Sequence, residues 1–209
     1  YWSFNTVNET KWTPDFSEHH NHGRLGDGNT TEMPVLTEGK FGRALKFDGV
    51  DDFIRVPDAP SLDGFDNGEI TIEAWIKPIL GSRGSIVNKY LYNYTNERVY
   101  ELDVKSDGRI GFALSSNGTG AGTVWLTSEM KVENNTWTHI AAVSDGKTMK
   151  IFINGVQDAN TARAPPRIHD SPYPLYIGRW QWSPTDWDCP FKGVIDELRI
   201  WNRALSPEE

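Results

Sequence analysis

The sequence lacks a second cysteine, a long apolar run and an excess of basic residues. Cys189 is the sole cysteine of the 209 residues, so no disulfide can form within the chain. No apolar stretch is long enough for a transmembrane helix, and membrane insertion is not expected. Lys and Arg number 21 against 29 Asp and Glu, and this net charge of −8 argues against nucleic acid as a partner. A chain of this length is nevertheless large enough to bury a core without cross-links.

Helical periodicity is also missing, because no long segment places apolar residues three to four positions apart. Short alternating segments recur between turn signals instead, and this rhythm is typical of an all-β sandwich. The pairs Asp107-Gly108 and Asp145-Gly146 predict tight hairpins, and Asn154-Gly155 predicts a further turn. Strands are predicted at residues 1–4, 43–47, 52–56, 69–77, 85–90, 98–104, 109–115, 122–128, 137–144, 147–153, 174–179 and 192–201.

Residues 5–40 and 157–172 show little pattern, and both are predicted to be irregular surface segments. A short turn is expected around residues 60–62. The core is predicted from alternating apolar positions, and its candidates are Trp75, Ile76, Phe112, Leu114, Ile140, Ala142, Ile151 and Ile153.

The last predicted strand has apolar residues on both faces, which indicates a strand packed inside the sandwich. Ser206 is predicted to cap a helix that begins at Pro207, so the domain over residues 1–209 is expected to be a fragment of a longer chain. Strict alternation places Val194, Asp196, Leu198 and Ile200 on one face and Ile195, Glu197, Arg199 and Trp201 on the other.

Several segments in chain order carry a resemblance to a known family. They are residues 42–57, 69–78, 137–143 with 151–155, 175–179 and 191–209, with a looser likeness at 1–4 and 15–23. Together they resemble the laminin G-like, concanavalin A-like jelly-roll domains of surface and secreted proteins. The resemblance implies a two-sheet antiparallel β-sandwich of jelly-roll type outside the cell or at its surface. It does not select a function, since this fold carries binding modules, enzymes and adhesion domains.

The resemblance also implies a structural Ca²⁺ ion, because many members hold calcium where the first loop meets the last strand. Carried over to this sequence, the matching positions are Asp15, Asn21, Asp48 and Asp196. Carboxylate and amide oxygens are the ligands that Ca²⁺ prefers. The alternative is that Asp48 belongs to a simple turn and that Asp196 either accepts hydrogen bonds from loop amides or pairs with an arginine.

An aromatic segment near residue 180 is the main candidate for ligand binding. Exposed indole rings beside planar polar groups stack on sugar C–H faces while the polar groups bind hydroxyls. A Tyr-rich segment near residue 92 is expected to face the same ligand. The alternative is that these rings pack over the sandwich end or contact a neighbouring domain or another copy of the chain. The candidate residues are Tyr173, Arg179, Trp180, Trp182 and Trp187, with Tyr92 and Tyr94.

Sequons for N-glycosylation occur at Asn8, Asn29, Asn93, Asn117 and Asn134. They indicate either a glycosylated exported protein or polar loops that happen to collect Asn and Thr.

Catalysis has little support in the sequence. Glu101 and Asp103 have the spacing that places two carboxylates on one strand face, but Lys105 stands where a third acid would follow. We therefore expect an extracellular, non-catalytic module that recognises a glycan or a glycoprotein. A structural or adhesion subunit is the first alternative, and a glycoside hydrolase or polysaccharide lyase is the second.

Overall fold

Two large antiparallel sheets form the fold in the computed structural model, which describes residues 1–63, 65–92, 96–183 and 186–209, with residues 186 and 187 as backbone only. The first sheet contains, in spatial order, β1 (Trp12–Thr13), β2 (Gly23–Leu25), β5 (Ile54–Val56), β15 (Leu175–Ile177), β7 (Gly84–Tyr90), β8 (Arg98–Val104), β9 (Arg109–Gly118) and β10 (Thr123–Lys131). The second contains β13 (Val156–Gln157), β12 (Thr148–Ile153), β11 (Thr138–Asp145), β6 (Glu69–Pro78), β18 (Lys192–Trp201), β4 (Arg43–Asp48) and β3 (Val35–Glu38), and β14 (Ala162–Arg163) also pairs with β12. A separate hairpin contains β16 (Trp180–Ser183) and β17 (Asp186–Asp188). The predicted all-β, two-sheet sandwich is confirmed.

The core lies between the inner faces of the two sheets. Because neighbouring side chains in a strand point to opposite faces, every second residue of the central strands enters it. All the predicted core residues except Trp75 are buried there. The predicted turns are confirmed as well: Asp145-Gly146 joins β11 to β12, and Asn154-Gly155 joins β12 to β13 with positive φ at both residues.

The placement of Trp75 in the core was wrong. Trp75 lies opposite His139 in β11, on the outer face of the second sheet, and its ring is half-buried. Phe41 packs edge-on against it at a centroid distance of 5.9 Å, and the Lys40 ammonium lies 4.5 Å from the ring centroid. The inner positions of β6 belong to Ala74 and Ile76 instead, because they precede and follow Trp75 in the alternation.

Strict alternation along the last strand was also wrong. A bulge between Asp196 and Arg199 shifts the register of β18 against β6, and Glu197 adopts a positive φ of 52°. The extra residue places Ile195 and Leu198 together in the core, although their spacing is odd. The bulge therefore explains why apolar residues seemed to occupy both faces.

The amino-terminal segment is more ordered than predicted, whereas the strand expected at residues 1–4 is reduced to one bridge between Trp2 and Leu198. Phe4 has a φ of 54°, which ends extended structure there. Residues 5–40 contain β1, β2 and β3 with two short 3-10 turns. The turn expected near residues 60–62 is a third 3-10 turn, Pro60–Leu62.

Among the described residues, none of the helices has the length and apolar character that a membrane crossing requires.

Candidate functional site

The hairpin β16–β17 lies beside the loop that follows β7. Leu91 forms a parallel bridge with Gln181, and the Tyr92 amide donates to the Gln181 carbonyl at 3.3 Å. The backbone therefore joins two aromatic segments that are far apart in sequence. The expectation that Tyr92 shares a surface with the tryptophans near residue 180 agrees with this placement.

Three partly exposed rings form what we call the aromatic surface: Tyr92, Trp125 and Trp182. Tyr92 and Trp182 are stacked, with centroids 4.3 Å apart and planes 17° apart. Trp125 is 43% exposed and Trp182 is 39% exposed, which is unusual for so large a ring. Each ring therefore offers a flat face or edge to a ligand.

Two buried rings support the aromatic surface from below. Trp180 is 2% exposed and contacts Tyr92 at 5.3 Å and Trp182 at 6.0 Å between centroids. Tyr90 contacts both Trp180 and Trp125 edge-on, at 6.3 and 6.0 Å. Trp180 therefore supports the aromatic surface from below, although the sequence predicts that Trp180, like Trp182, contacts the ligand.

Arg98 gives the aromatic surface a positive charge. Its guanidinium carbon lies 4.5 Å from the Tyr92 centroid and 5.3 Å from the Tyr90 centroid. The same guanidinium donates a hydrogen bond to the Tyr92 carbonyl. Cation–π attraction holds the charge against the rings, so Arg98 fixes the rings and leaves them facing outward.

The strands below the aromatic surface present a continuous row of outer-face residues. Directly opposite residues of antiparallel strands share a face. Register therefore places a single row across the sheet: Trp12, Arg24, Arg55, Tyr176, Asn88, Glu101, Ala113 and Trp125.

Unpartnered polar atoms concentrate on this face. Nine buried side-chain polar atoms lack a hydrogen-bond partner among the described residues, and six of them lie below or beside the aromatic surface. Buried polar groups are normally satisfied, so these atoms call for bound water, a polar ligand or side chains outside the described residues; Tyr90 lies close to Thr123 and Arg98, and Trp180 to Cys189. The six are Asn88 Oδ1, Tyr90 OH, Arg98 Nε, Glu101 Oε2, Asp103 Oδ1 and Trp180 Nε1.

Glu101 and Asp103 do share a strand face, as their spacing predicts. Both are 1% exposed and both bind Arg83, with Arg83 Nη2 2.7 Å from Glu101 Oε1 and Arg83 Nε 2.5 Å from Asp103 Oδ2. Lys105 also binds Asp103 at 2.9 Å. Burial and the neighbouring Asp103 raise the pKa of Glu101 to about 8, against the opposing effect of Arg83 and Lys105.

Trp180 lies close to the arginine that binds this acid pair. The Arg83 guanidinium carbon lies 5.5 Å from the Trp180 ring centroid. Cys189 lies in the same small cluster as Trp180 and Tyr90, and burial raises the pKa of its thiol to about 11. The acids are buried and bound to Arg83, which suits a support for the aromatic surface better than proton transfer to a substrate.

The remaining nominated binding residues have mixed positions. Tyr173 is half-buried and its hydroxyl donates to Gln181 Oε1 at the edge of the hairpin. Arg179 is 8% exposed and donates to the Asp51 carbonyl at 2.9 Å, so it holds a neighbouring turn. Tyr94 and the side chain of Trp187 lie outside the described residues.

Sequence reasoning missed Trp125, Arg98 and Arg83. Trp125 stands in β10 between two inward residues, Val124 and Leu126. The period of two would have placed its ring on the outer face. Arg98 and Arg83 carry no comparable signal, because their roles depend on contacts between separate strands.

The four nominated calcium ligands lie in three places: Asp15 and Asn21 together in the first loop, Asp48 at the end of β4 and Asp196 within β18. Asp15 accepts hydrogen bonds from the backbone of Tyr1, Ser17 and Asn21, so its carboxylate closes the first loop. Asp48 pairs with Lys192, whereas Asp196 lies four residues further along β18, about 13 Å away. The structure therefore does not bring Asp48 and Asp196 to one ion.

Asn21 and Asp196 have local partners of their own. The Asn21 side-chain amide donates to Ser61 Oγ at 2.9 Å. The backbone carbonyl of Asn21 accepts a hydrogen bond from the Trp2 indole. Asp196 is fully buried; its Oδ2 accepts from the Phe41 amide at 3.0 Å.

A different acidic set surrounds Asp48. Ligand atoms of Asp48, Asp51 and Asp52 lie within 4.8 Å of one another, the only such group among the described residues. Burial, together with the Asp48 and Asp51 carboxylates, raises the pKa of Asp52 to about 6, although a hydrogen bond from the Asp48 amide opposes the rise. Oxygen donors that repel one another fit a Ca²⁺ ion, which would relieve this repulsion.

Four of the sequons have described asparagines, and all four are exposed: Asn8, Asn29, Asn117 and Asn134. Asn93 lies outside the described residues.

A two-sheet jelly roll with exposed aromatic rings on one outer face defines a lectin-like binding fold. Comparison of sequences agrees with this class: the Laminin_G_3 family, described as the concanavalin A-like lectin/glucanases superfamily, matches residues 48–209. The chain belongs to this family. None of the curated proteins compared with it matches the chain.

Solved structures share the fold at low identity. The binding domain of Paraclostridial Mosquitocidal Protein 1 is 18% identical with a TM-score of 0.70, and the match covers 99% of this chain and half of that one. Domain 4 of AbnA, a GH43 extracellular arabinanase from Geobacillus stearothermophilus, in complex with arabinotriose, is 24% identical with a TM-score of 0.61, over 84% and 78% of the two chains. The CBM40 of the Ruminococcus gnavus IT-sialidase, bound to α2,3 sialyllactose, is 20% identical with a TM-score of 0.54, over 67% and 78%. These identities support a shared fold and no closer relationship.

Proposed function

We propose that this chain is a non-catalytic recognition module that binds a glycan, or a glycosylated partner, at the aromatic surface and acts outside the cell. The observation that carries the proposal is the partly exposed Tyr92–Trp182 stack beside Trp125, above buried polar atoms that have no partner in the part of the chain that the structure describes. Sugar rings need both kinds of contact, an apolar face and hydrogen-bonding groups. Neighbours of the same fold with arabinotriose and sialyllactose bound are consistent with this chemistry.

The non-catalytic part of the proposal rests on the acid pair. Glycoside hydrolysis needs one carboxyl group that donates a proton and another that faces the sugar. Here Glu101 and Asp103 bind Arg83 and are each only 1% exposed. A glycosidase remains the alternative, and release of reducing ends from polysaccharides by the purified chain would support it.

A structural Ca²⁺ ion remains part of the proposal, at a changed position. Asp48, Asp51 and Asp52 would hold the ion and fix the turn between β4 and β5. Arg179 donates to the Asp51 carbonyl, so this turn is linked to the strand that enters the hairpin β16–β17.

Export is supported by the exposed sequons. Expression in a secretory eukaryotic host should yield a chain that loses mass with an N-glycosidase. Recovery of an unmodified secreted chain would count against glycosylation.

The aromatic surface is tested by Trp182→Ala and Tyr92→Ala against a matched control, Trp201→Ala. Trp201 is 36% exposed but lies on the second sheet. A glycan array that includes arabinotriose and α2,3 sialyllactose identifies the ligand, and calorimetry measures its affinity. We expect a loss of about tenfold or more for the two surface variants, as is usual when a central aromatic contact is removed. Equal affinities for all three variants would refute the assignment.

The structural or adhesion alternative makes a different prediction for the same variants. If the aromatic surface contacts another copy of the chain, the native protein should self-associate in light scattering. Trp182→Ala should then dissociate it without any effect of glycans.

A further inference from the structure

A second charged feature lies on the outer face of the second sheet, away from the aromatic surface. Val194 in β18 pairs with Lys46 in β4 and with Lys77 in β6, and Lys192 precedes Val194 by two residues. Residues opposite one another, and residues two apart in a strand, share a face. The three lysines therefore surround Val194, and we call this site the lysine cleft.

The lysine cleft is open and has a partly apolar floor. Its volume is about 340 Å³, and Ile79 and Asn135 complete its walls. Lys46 and Lys192 are exposed, and Lys77 is half-buried beside Val194. Lys46 and Lys77 lie two strand spacings apart, about 10 Å, so one elongated ligand would reach both.

Charge is the unusual property of the lysine cleft. Within the described part of the chain, none of the three ammonium groups forms an ion pair or a side-chain hydrogen bond. Asp48 is the one acid that lines the cleft, and its Oδ1 already accepts the amides of Val50 and Asp51. Three lysines thus line the cleft with one carboxylate, in a chain whose net charge is −8; Asp51 and Asp52 lie near Asp48 but outside the cleft lining. Neighbouring like charges repel, and a bound anion would remove that cost.

Two apolar side chains form the floor and one wall of the lysine cleft. They are Val194 and Ile79, and Ile79 is 36% exposed. Trp75 precedes Lys77 by two residues on the same face, but Lys40, Phe41 and His139 pack against its ring. Cations beside an apolar floor suit a ligand with both anionic groups and C–H faces, rather than a small inorganic anion.

We propose that the lysine cleft binds an acidic polysaccharide, with carboxylate or sulfate groups on the lysines and sugar faces on Val194 and Ile79. This goes beyond the proposed function, because the site lies on the other sheet and shares no residue with the aromatic surface. The charge complementarity selects an anion, and the apolar floor with the spacing of about 10 Å between Lys46 and Lys77 selects an elongated sugar polymer among anions.

The test uses the chain produced in a bacterial host, so that no N-glycan on Asn134 stands beside Asn135 in the cleft. The variant Lys46→Gln/Lys77→Gln/Lys192→Gln is compared with a control that removes the same charge elsewhere. Lys11, Lys147 and Arg167 are exposed and form no ion pair with the described residues, so the control is Lys11→Gln/Lys147→Gln/Arg167→Gln. The probes are polygalacturonate, heparin, dextran, phosphatidylserine vesicles and a single-stranded oligonucleotide.

We expect the wild-type chain and the control to bind at least one acidic polysaccharide and not dextran, with affinity that falls as salt rises. The triple cleft variant should bind about tenfold or more weakly, since each exposed ion pair contributes up to about 1 kcal/mol. Trp182→Ala should bind acidic polysaccharide normally, so this result is separable from the proposed function. Three outcomes would overturn the proposal. The first is an equal loss of affinity in the cleft variant and the control, and the second is no binding of the wild type to either acidic polysaccharide. The third is binding to the vesicles or the oligonucleotide alone.

Discussion

The buried Glu101 makes a sharp prediction about stability and pH. In the folded chain the pKa of Glu101 rises from 4.5 to about 8, chiefly because burial disfavours its charge and Asp103 adds repulsion. Above pH 8 the fold must hold a buried carboxylate, whereas near pH 5 it holds the neutral acid. Stability from this group is therefore complete below about pH 4.5 and is lost as pH rises towards 8. Glu101→Gln keeps the shape of the side chain and removes the ionisation.

The magnitude follows from the width of that window. A group that binds a proton only in the folded state changes the free energy of unfolding by up to about 1.4 kcal/mol per pH unit. Between pH 5 and pH 8 the loss is on the order of 2–4 kcal/mol, because Arg83 and Lys105 remain close to the acid pair. For a domain of this length, that loss corresponds to a fall in Tm of about 5–15 °C.

The assay compares unfolding of the wild type, Glu101→Gln and an exposed control, Glu133→Gln, at several values between pH 5 and pH 8.5. Asp52 and Asp63 also have raised pKa values, of about 6 and about 7, so some loss with pH should persist in every chain. The informative quantity is the difference between variants. Glu101→Gln should match the wild type near pH 5 and exceed it near pH 8.5. Parallel curves for the wild type and Glu101→Gln would refute the reasoning.

Two further predictions concern the backbone and the proposed ion. Gly178→Ala should cost about 2 kcal/mol or more in unfolding free energy, because its Cβ would lie 2.3 Å from a Phe47 ring carbon at a φ of +92°. Gly155 has a φ of +77° and open space around it, so Gly155→Ala should lower the free energy of unfolding by only about 1–2 kcal/mol. Equal losses for the two variants in denaturant unfolding would show that the structure relieves the clash between the added Cβ at position 178 and Phe47 and would contradict the prediction. EDTA should lower Tm of the wild type by several degrees and leave Asp52→Asn unaffected; an EDTA effect of equal size on both would exclude the acidic turn as the calcium site.

The fold was largely predictable because its signals are local. Alternating apolar residues and Asp-Gly or Asn-Gly turns depend on positions close in the chain, and the structure follows them from β6 to β12. The bulge at Glu197 was not predictable, because it depends on how β18 fits β6 after both have paired. Trp75 was assigned to the core together with its neighbour Ile76, whereas alternation allows only one of two adjacent residues to point inward, and the structure selects Ile76.

The candidate site was predictable only in part. Both aromatic segments were evident, and Tyr92 does lie against Trp182. Trp180 and Trp182 are two residues apart and would share a face in a regular strand, so the sequence could not tell them apart. Their different exposure became evident only when the hairpin, whose register shifts between Gln181 and Ser183, was placed over β7. The calcium ligands were carried over from a resemblance, and the spatial separation of Asp48 from Asp196 depends on the pairing of β4 with β18.

Charged groups are arranged differently on the two outer faces, and this difference distinguishes the two proposed ligands by their response to salt. On the first sheet the carboxyl groups of Glu101 and Asp103 are buried against Arg83, so a ligand there meets mainly rings and hydrogen-bonding groups, whose attraction salt hardly screens. In the lysine cleft the ammonium groups are partly or fully exposed, and physiological salt screens such charges beyond about 8 Å. Affinity at the aromatic surface should therefore persist in salt that releases a polymer from the lysine cleft. Because the core lies between the two sheets, a glycan on one face cannot contact the other, and a chain with both ligands bound would link two different polymers.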